Sequence, residues 1–364
     1  LSDLAAILRR RIASDGPLSV ADYMALALGH PNYGYYRRGD PLGAAGDFIT
    51  APEASQIFGE LVGLWCAVVW RAAGSPNPVR LVELGPGRGT LMADALRATV
   101  RVVPAFHAAV DLHLVETSRP LRKRQRQALE AVGPAPSITW HEDLAEVPDG
   151  PALVIANEFF DALPIHQYVF RAGDWPERLV DVDAQGRFVF VEATDATTVL
   201  PDPSLTALRP AEGSIVEVSP AAIALTRGLA ARLARFGGAA LVIDYGHSTS
   251  EPGETLQAVR RHAPHPVLER PGEADLTAHV DFAALARAAA GTGARVYGPV
   301  TQGAFLDQLG IRTRAETLLR TASPAQADDI RAAVRRLTHP SGMGLLFRVM
   351  AMTNPSMPPP PGFE

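Results

Sequence analysis

A short β-rich run at 79–84 stops in Gly85-Pro86-Gly87-Arg88-Gly89, and a helical pattern over 90–102 follows at once. Strand, glycine turn and helix in that order open a doubly wound α/β unit, and this constrains the chain more than any other feature. Glycine permits the sharp turn and lets a ligand approach where a Cβ would collide. The dinucleotide fingerprint asks for glycine at the first, third and sixth positions. Here the sixth position is Thr90 and the third glycine comes one residue early, giving G-x-G-x-G with Glu83 two residues ahead of the first glycine. That spacing disfavours a nicotinamide-dependent oxidoreductase. A tight βα turn with no ligand is the bland alternative.

The following strand ends extend the pattern. The run 110–116 reads as a second strand and ends on Glu116, placed to accept hydrogen bonds from two ribose hydroxyls. Asp143 and Leu144 stand just past a third strand, 137–140, a carboxylate for an adenine amine and an apolar side chain for the ring face. Asn157 follows a fourth, 152–156, within reach of a sulfonium or an acceptor atom. Acidic residues at three successive strand ends, Glu83, Glu116 and Asp143, fit an adenosine ligand without a pyrophosphate, S-adenosylmethionine. Gly85, Gly87 and Gly89 would pack against its methionine and ribose portions, and Glu83 would engage its amino-acid part, directly or through water. The fold class expected is α/β: a Rossmann-like class I methyltransferase with a seven-stranded, mostly parallel sheet, an N-terminal helical cap and an inserted antiparallel β-meander.

The rest of the chain is read around that sheet. Residues 1–30 form two short amphipathic helices, and 1–75 is expected as an N-terminal cap and lid loop, with a long helix over 53–73 opened by Pro52. The methyltransferase domain spans 76–352. Helices at 119–132 and 220–236, a fifth strand at 239–244, and closing strands at 295–299 and 345–352 complete its rhythm. Period-two runs at 167–171, 178–183 and 187–192 mark the meander, inside an insertion at about 165–215. Residues 247–292 read as loop and helix, and 353–364 as a disordered or polyproline Pro-rich tail.

Composition narrows the class. With 47% hydrophobic and 20% charged residues the chain is globular, and a net charge of −5 gives no general attraction to nucleic acid. The basic run 119–126 reads as the solvated face of a helix. Cys66, the single cysteine, excludes an internal disulfide or cysteine-cluster metal site and reads as a buried apolar residue. Histidines show no ligand spacing, so no metal is expected, and no apolar run reaches bilayer length. The chain begins at Leu1 rather than Met, which leaves room for a trimmed leader.

The acceptor chemistry is assigned to Asn157-Glu158-Phe159-Phe160-Asp161. Glu158 and Asp161 are the candidate catalytic carboxylates, able to grip a guanidinium through paired hydrogen bonds and orient one nitrogen for in-line attack. N-capping of the following turn by Asn157 or Asp161, with Pro164 ending it, is the competing reading. His166 reads as a packed or solvated side chain more readily than as a base.

Three stretches in order, 46–60, 82–90 and 156–164, resemble the MidA family, as do 243–246, 275–282 and 301–310. The likeness covers about 20–350. It implies an S-adenosylmethionine-dependent protein arginine methyltransferase that dimethylates a 49-kDa-type subunit of respiratory complex I during assembly. It also implies a lid at 47–50, ending on Thr50 as a cofactor contact, and puts His279 and Asp281 beside the same crevice. The expected compartment is the cytoplasm in a bacterium and the mitochondrial matrix in a eukaryote. The partner is a protein substrate, with neither nucleic acid nor membrane insertion, and a homodimer is one option for the assembly. A small-molecule methyltransferase and a non-catalytic assembly chaperone are the alternatives.

Overall fold

The computed structural model describes residues 3–37, 50–133, 136–194, 200, 205, 208 and 210–363. The chain forms two compact units, one of Leu1–Phe48, Asp161–Leu225 and Thr249–Ala284, the other of Ile49–Phe160, Thr226–Ser248 and Leu285–Glu364. The expected cap over 1–75 is thus divided, because the helix Gln56–Ala72 buries its apolar face in the second unit.

That unit is built on seven strands: β1 (Val79–Leu84), β2 (Val110–Val115), β3 (Ile138–His141), β4 (Ala152–Asn157), β5 (Gly238–His247), β6 (Arg295–Thr301) and β7 (Phe347–Thr353). Their spatial order is β6-β7-β5-β4-β1-β2-β3. β1 to β5 pair in parallel, and β7 runs antiparallel to both β5 and β6. The order from β3 to β5 is that of a doubly wound nucleotide fold, whose ligands sit outside the carboxyl ends of the strands. β4 and β5 are almost wholly apolar and buried along their length, as strands covered on both faces must be.

Helices Gln56–Ala72 and Thr90–Val102 cross closely because Gly59 and Gly63, one turn apart, face the second helix. A Cβ on Gly59 would lie 2.8 Å from the Leu91 carbonyl oxygen, and one on Gly63 2.6 Å from Ala95 Cα. The basic helix Arg119–Glu130 buries Leu121, Gln125 and Leu129 along one stripe and leaves Arg119, Lys123 and Arg126 exposed, the solvated face expected.

In the first unit, helices Asp3–Asp15 and Val20–Gly29 bury Leu4, Leu8, Tyr23 and Met24 with Val180, Leu256 and Leu276. The meander appears as strands His166–Val169, Glu177–Val182 and Phe188–Glu192, all antiparallel. Leu18–Ser19 pairs along Glu177–Val182, and Ile215–Val218 along His166–Val169.

Three expectations are corrected. The helix expected over 53–73 is broken at Ser55, whose extended backbone and side chain cap Ile57 N–H and separate Ala51–Ala54 from Gln56–Ala72. The region 247–292, expected as loop and helix, also holds a three-stranded antiparallel sheet, Gln257–Arg260, Ala263–His265 and Asp275–Thr277. The tail is not a loose extension as far as Phe363: Met357 is buried, Trp65 Nε1 donates to the Pro361 carbonyl at 3.0 Å, and the Phe363 ring meets Phe305 at 5.6 Å. Its apolar anchors outweigh the prolines between them.

The helix crossing yields a stability prediction. Gly63→Val is expected to lower stability by about 1–3 kcal/mol through overpacking against Ala95, measured by denaturant unfolding. Gly228→Ala, on the exposed side of the helix Pro220–Phe236 with nothing within 4 Å of its Cβ position, is expected instead to gain about 0.5–1 kcal/mol.

Candidate active site

The functional residues of the second unit gather along the carboxyl edge of its sheet. The ladder runs one residue past each strand: Gly85 N–H donates to Val115 O at 3.0 Å, Glu116 N–H to His141 O at 2.9 Å, and Glu158 N–H to Ile243 O at 2.9 Å. Gly85, Gly87 and Gly89 take φ of +62°, +53° and +83°, a left-handed succession that side chains other than glycine rarely adopt. A Cβ on Gly85 would lie 2.7 Å from the Phe159 ring, so the loop after β4 rests against the glycine turn.

Glu83 is buried, and its Oε2 has no hydrogen-bond partner. Desolvation pushes its carboxyl up to about 8. Asn157, at the end of the neighbouring β4, is also buried, with Oδ1 unpartnered while Nδ2 donates to Glu158 Oε1 at 3.2 Å. Glu116 is buried too, but its Oε1 accepts from Ser118 N–H at 2.7 Å and Oε2 from Gln125 Nε2 at 3.2 Å. Burial raises its pKa while these bonds pull the other way. Burial, then the Glu83 charge, raises the Cys66 thiol, which is inert packing as expected.

Gln125 is a residue sequence reasoning missed. Its Nε2 also donates to Gly87 O at 2.8 Å, and its Oε1 accepts from Trp140 Nε1 at 2.8 Å, so one side chain ties the glycine turn, the β2 end and β3 together. The signal was a polar residue between Leu121 and Leu129 on an otherwise apolar helix stripe. Asp143 is exposed and caps the short 3-10 turn Leu144–Glu146, its Oδ1 accepting from Ala145 N–H at 2.8 Å, with Leu144 half-buried beside it.

Glu158 sits at φ +49°, a conformation that costs a residue with a Cβ about 1–2 kcal/mol. Its Oε1 accepts from Ala51 N–H at 2.9 Å, taking up one of the free amides at the start of the helix Ala51–Ala54. Glu53 of that turn accepts from Thr90 Oγ1 and pairs with Arg88 at 3.4 Å. Thr50 is the half-buried N-cap residue of the turn and makes no side-chain cap bond. Residues 47–49 of the expected lid lie outside the described residues.

Asp161 belongs to the first unit, where it is buried and its carbonyl accepts from Ala278 N–H at 3.0 Å; burial, then the Asp275 and Asp161 charges, raises the Tyr36 phenol. Among the described residues no helix follows either Asn157 or Asp161, and a turn begins at Asp161. His166 Nδ1 pairs with Glu177 at 2.6 Å across the meander, a packed histidine as expected. His279 N–H donates to Thr255 Oγ1, and Asp281 Oδ1 accepts from Ala284 N–H at the start of the helix Phe282–Ala289, both within the first unit.

These residues fit S-adenosylmethionine. Two buried acceptors without donors, Glu83 Oε2 and Asn157 Oδ1, flank a glycine turn open to close backbone approach, and an ammonium is the donor-rich group that would satisfy them.

Residues 61–300 match the family described as "Putative S-adenosyl-L-methionine-dependent methyltransferase". The chain is 39% identical to the mitochondrial protein arginine methyltransferase NDUFAF7 of Danio rerio, over 95% of this chain and 86% of that protein. It is 41% identical to the mitochondrial NDUFAF7 homologue of Drosophila melanogaster, over 96% and 84%. The crystal structure of a Burkholderia thailandensis protein bound to S-adenosyl-homocysteine superposes with a TM-score of 0.86 at 31% identity, covering 99% of this chain and 93% of that one. With the strand order, the glycine turn and the buried acceptors already in place, these likenesses put the chain in the S-adenosyl-L-methionine-dependent methyltransferase family that includes the NDUFAF7 proteins.

Proposed function

We propose that this chain methylates an arginine of a protein, a 49-kDa-type subunit of respiratory complex I during assembly. The observation that carries the reading is the Glu158 carboxylate at the end of β4, oriented by Ala51 N–H and Asn157 Nδ2 and followed by the ring that rests on the glycine turn. A donor-rich guanidinium is the group such a carboxylate suits. The names of the relatives supply the protein arginine, and the resemblance to the MidA family supplies the complex I subunit and the assembly setting. Those relatives are mitochondrial, and in a bacterium the corresponding compartment is the cytoplasm.

When bound, S-adenosylmethionine supplies a methyl group on a positively charged sulfur. Glu83 and Asn157 take its amino-acid end, and Gly85, Gly87 and Gly89 let the backbone approach. Glu116, held by Gln125 and Ser118, keeps lone pairs for the ribose hydroxyls. Asp143 retains an oxygen for the adenine amine, Leu144 covers the ring, and Thr50 closes the site from the turn that Glu158 anchors. Glu158 holds the guanidinium and presents one nitrogen in line with the methyl carbon, a proximity effect, while its charge eases loss of the nitrogen's proton.

Glu158→Gln is expected to slow methyl transfer about 100-fold or more while cofactor affinity changes little. The assay follows label from methyl-labelled S-adenosylmethionine into protein extract from cells lacking the chain, with methylarginine identified by mass spectrometry. Label on residues other than arginine, or an unchanged rate in Glu158→Gln, would refute the reading.

A second prediction follows from Glu83. Its folded carboxyl titrates near 8 without a cationic partner, against an ordinary value of 4.5, so the folded chain holds a proton there that the unfolded chain has lost. This contribution to stability is therefore lost as pH rises between those values. An ammonium favours the carboxylate, so cofactor binding should tighten with rising pH up to about 8 and release a proton at pH 7. Calorimetry in buffers of differing ionisation enthalpy checks this, and Glu83→Gln should abolish the release. Equal heats in all buffers for the native chain would contradict it.

A further inference from the structure

Asp244 stands in β5 after five buried apolar residues and is itself wholly buried. Its strand register explains what it does there. Ile243 is the last β5 residue paired with β4, opposite Asn157. Beyond that point the left-handed turn at Glu158 peels the chain away from the sheet, and the amides of Phe159 and Phe160 leave the ladder. Asp244 Oδ2 takes both, at 3.1 and 2.9 Å, and Oδ1 accepts from Tyr245 N–H at 2.9 Å. Charge-assisted bonds of this kind are about twice as strong as neutral ones.

Those two amides directly follow the strained Glu158 and stand on either side of Phe159, whose ring touches the glycine turn. Fixing Phe159 N–H fixes the direction in which the chain leaves Glu158 and sets the Phe159 ring against Gly85. Fixing Phe160 N–H keeps that buried ring edge-on to Phe159, with centroids 5.8 Å apart. A left-handed residue with a side chain persists only where its surroundings over-determine it, and Asp244 supplies that constraint from the neighbouring strand.

We propose that Asp244 is a positioning residue for methyl transfer: by holding the Phe159 and Phe160 amides it keeps the Glu158 carboxylate at the angle needed toward the cofactor site. The proposal rests on Glu158 as the acceptor-binding carboxylate.

The test uses the full chain, methyl-labelled S-adenosylmethionine and protein extract of cells lacking the chain as acceptor. Asp244→Asn keeps the shape and one acceptor oxygen and removes the charge. Its initial rate at saturating cofactor is expected to fall about 10- to 100-fold. Cofactor affinity should stay within about threefold, because a positioning role leaves that site intact. A residue that only supports the fold would lower melting temperature and cofactor affinity together.

Coupling with Glu158→Gln gives the second readout. Asp244 acts through Glu158, so the double variant should be no slower than Glu158→Gln alone. A native rate in Asp244→Asn, parallel losses of affinity and thermal stability, or additive losses in the double variant would overturn the proposal. A native rate in Glu158→Gln would overturn the acceptor reading itself, and this inference with it. If Asp244→Asn does not accumulate as folded protein, Asp244→Ser, which keeps a short acceptor, takes its place in the same cycle.

Discussion

Three backbone hydrogen bonds carry the parallel ladder one residue beyond the strands, and the candidate site depends on them. Each hands a functional residue out of the sheet at a fixed height: Gly85 against Val115, Glu116 against His141, and Glu158 against Ile243. Parallel register makes this possible, because neighbouring strands then end at the same edge and their next residues stand in a row. The glycine turn, the Gln125 tie and the Asp244 clamp all act on residues these bonds have already placed.

Much of this row was legible in the sequence because its causes are local. Apolar runs of strand length, glycines where a turn must be left-handed, and carboxylates immediately after strands need no tertiary information to be read. What escaped reading is tertiary or conformational. The hairpin between Arg260 and Ala263 turns on Arg261 and His262, both at positive φ, without the Gly or Asn that advertises such a turn. The tail looked loose because proline count conceals that Met357 is buried in the apolar core and that the Phe363 ring meets Phe305. Gln125 reads as one more polar residue in a basic helix until its partners on three separate elements are seen.

The buried carboxylates at this edge differ in how their charge is compensated, and the difference separates framework from ligand site. Asp244 accepts three backbone amides, and Glu116 accepts an amide and a side-chain amide. Glu83 has one oxygen with no partner and accordingly the carboxyl pushed up to about 8. An apolar residue at Glu83 would spare the sheet that desolvation, so the fold alone gives no reason for it. A cationic group arriving from outside does.

Glu158 makes the same argument through the backbone. Arg261 and His262 adopt the same left-handed conformation in a hairpin turn where the side chains stay exposed. Glu158 adopts it at the end of a buried strand, with its carboxylate on Ala51 N–H and Asn157 Nδ2. Glycine would occupy that turn without the roughly 1–2 kcal/mol that a Cβ costs there. Keeping a side chain at a glycine position, and setting a buried carboxylate one strand away to hold the amides after it, is strain without return in stability. Strain of that kind is retained where the placement of the side chain is itself the function.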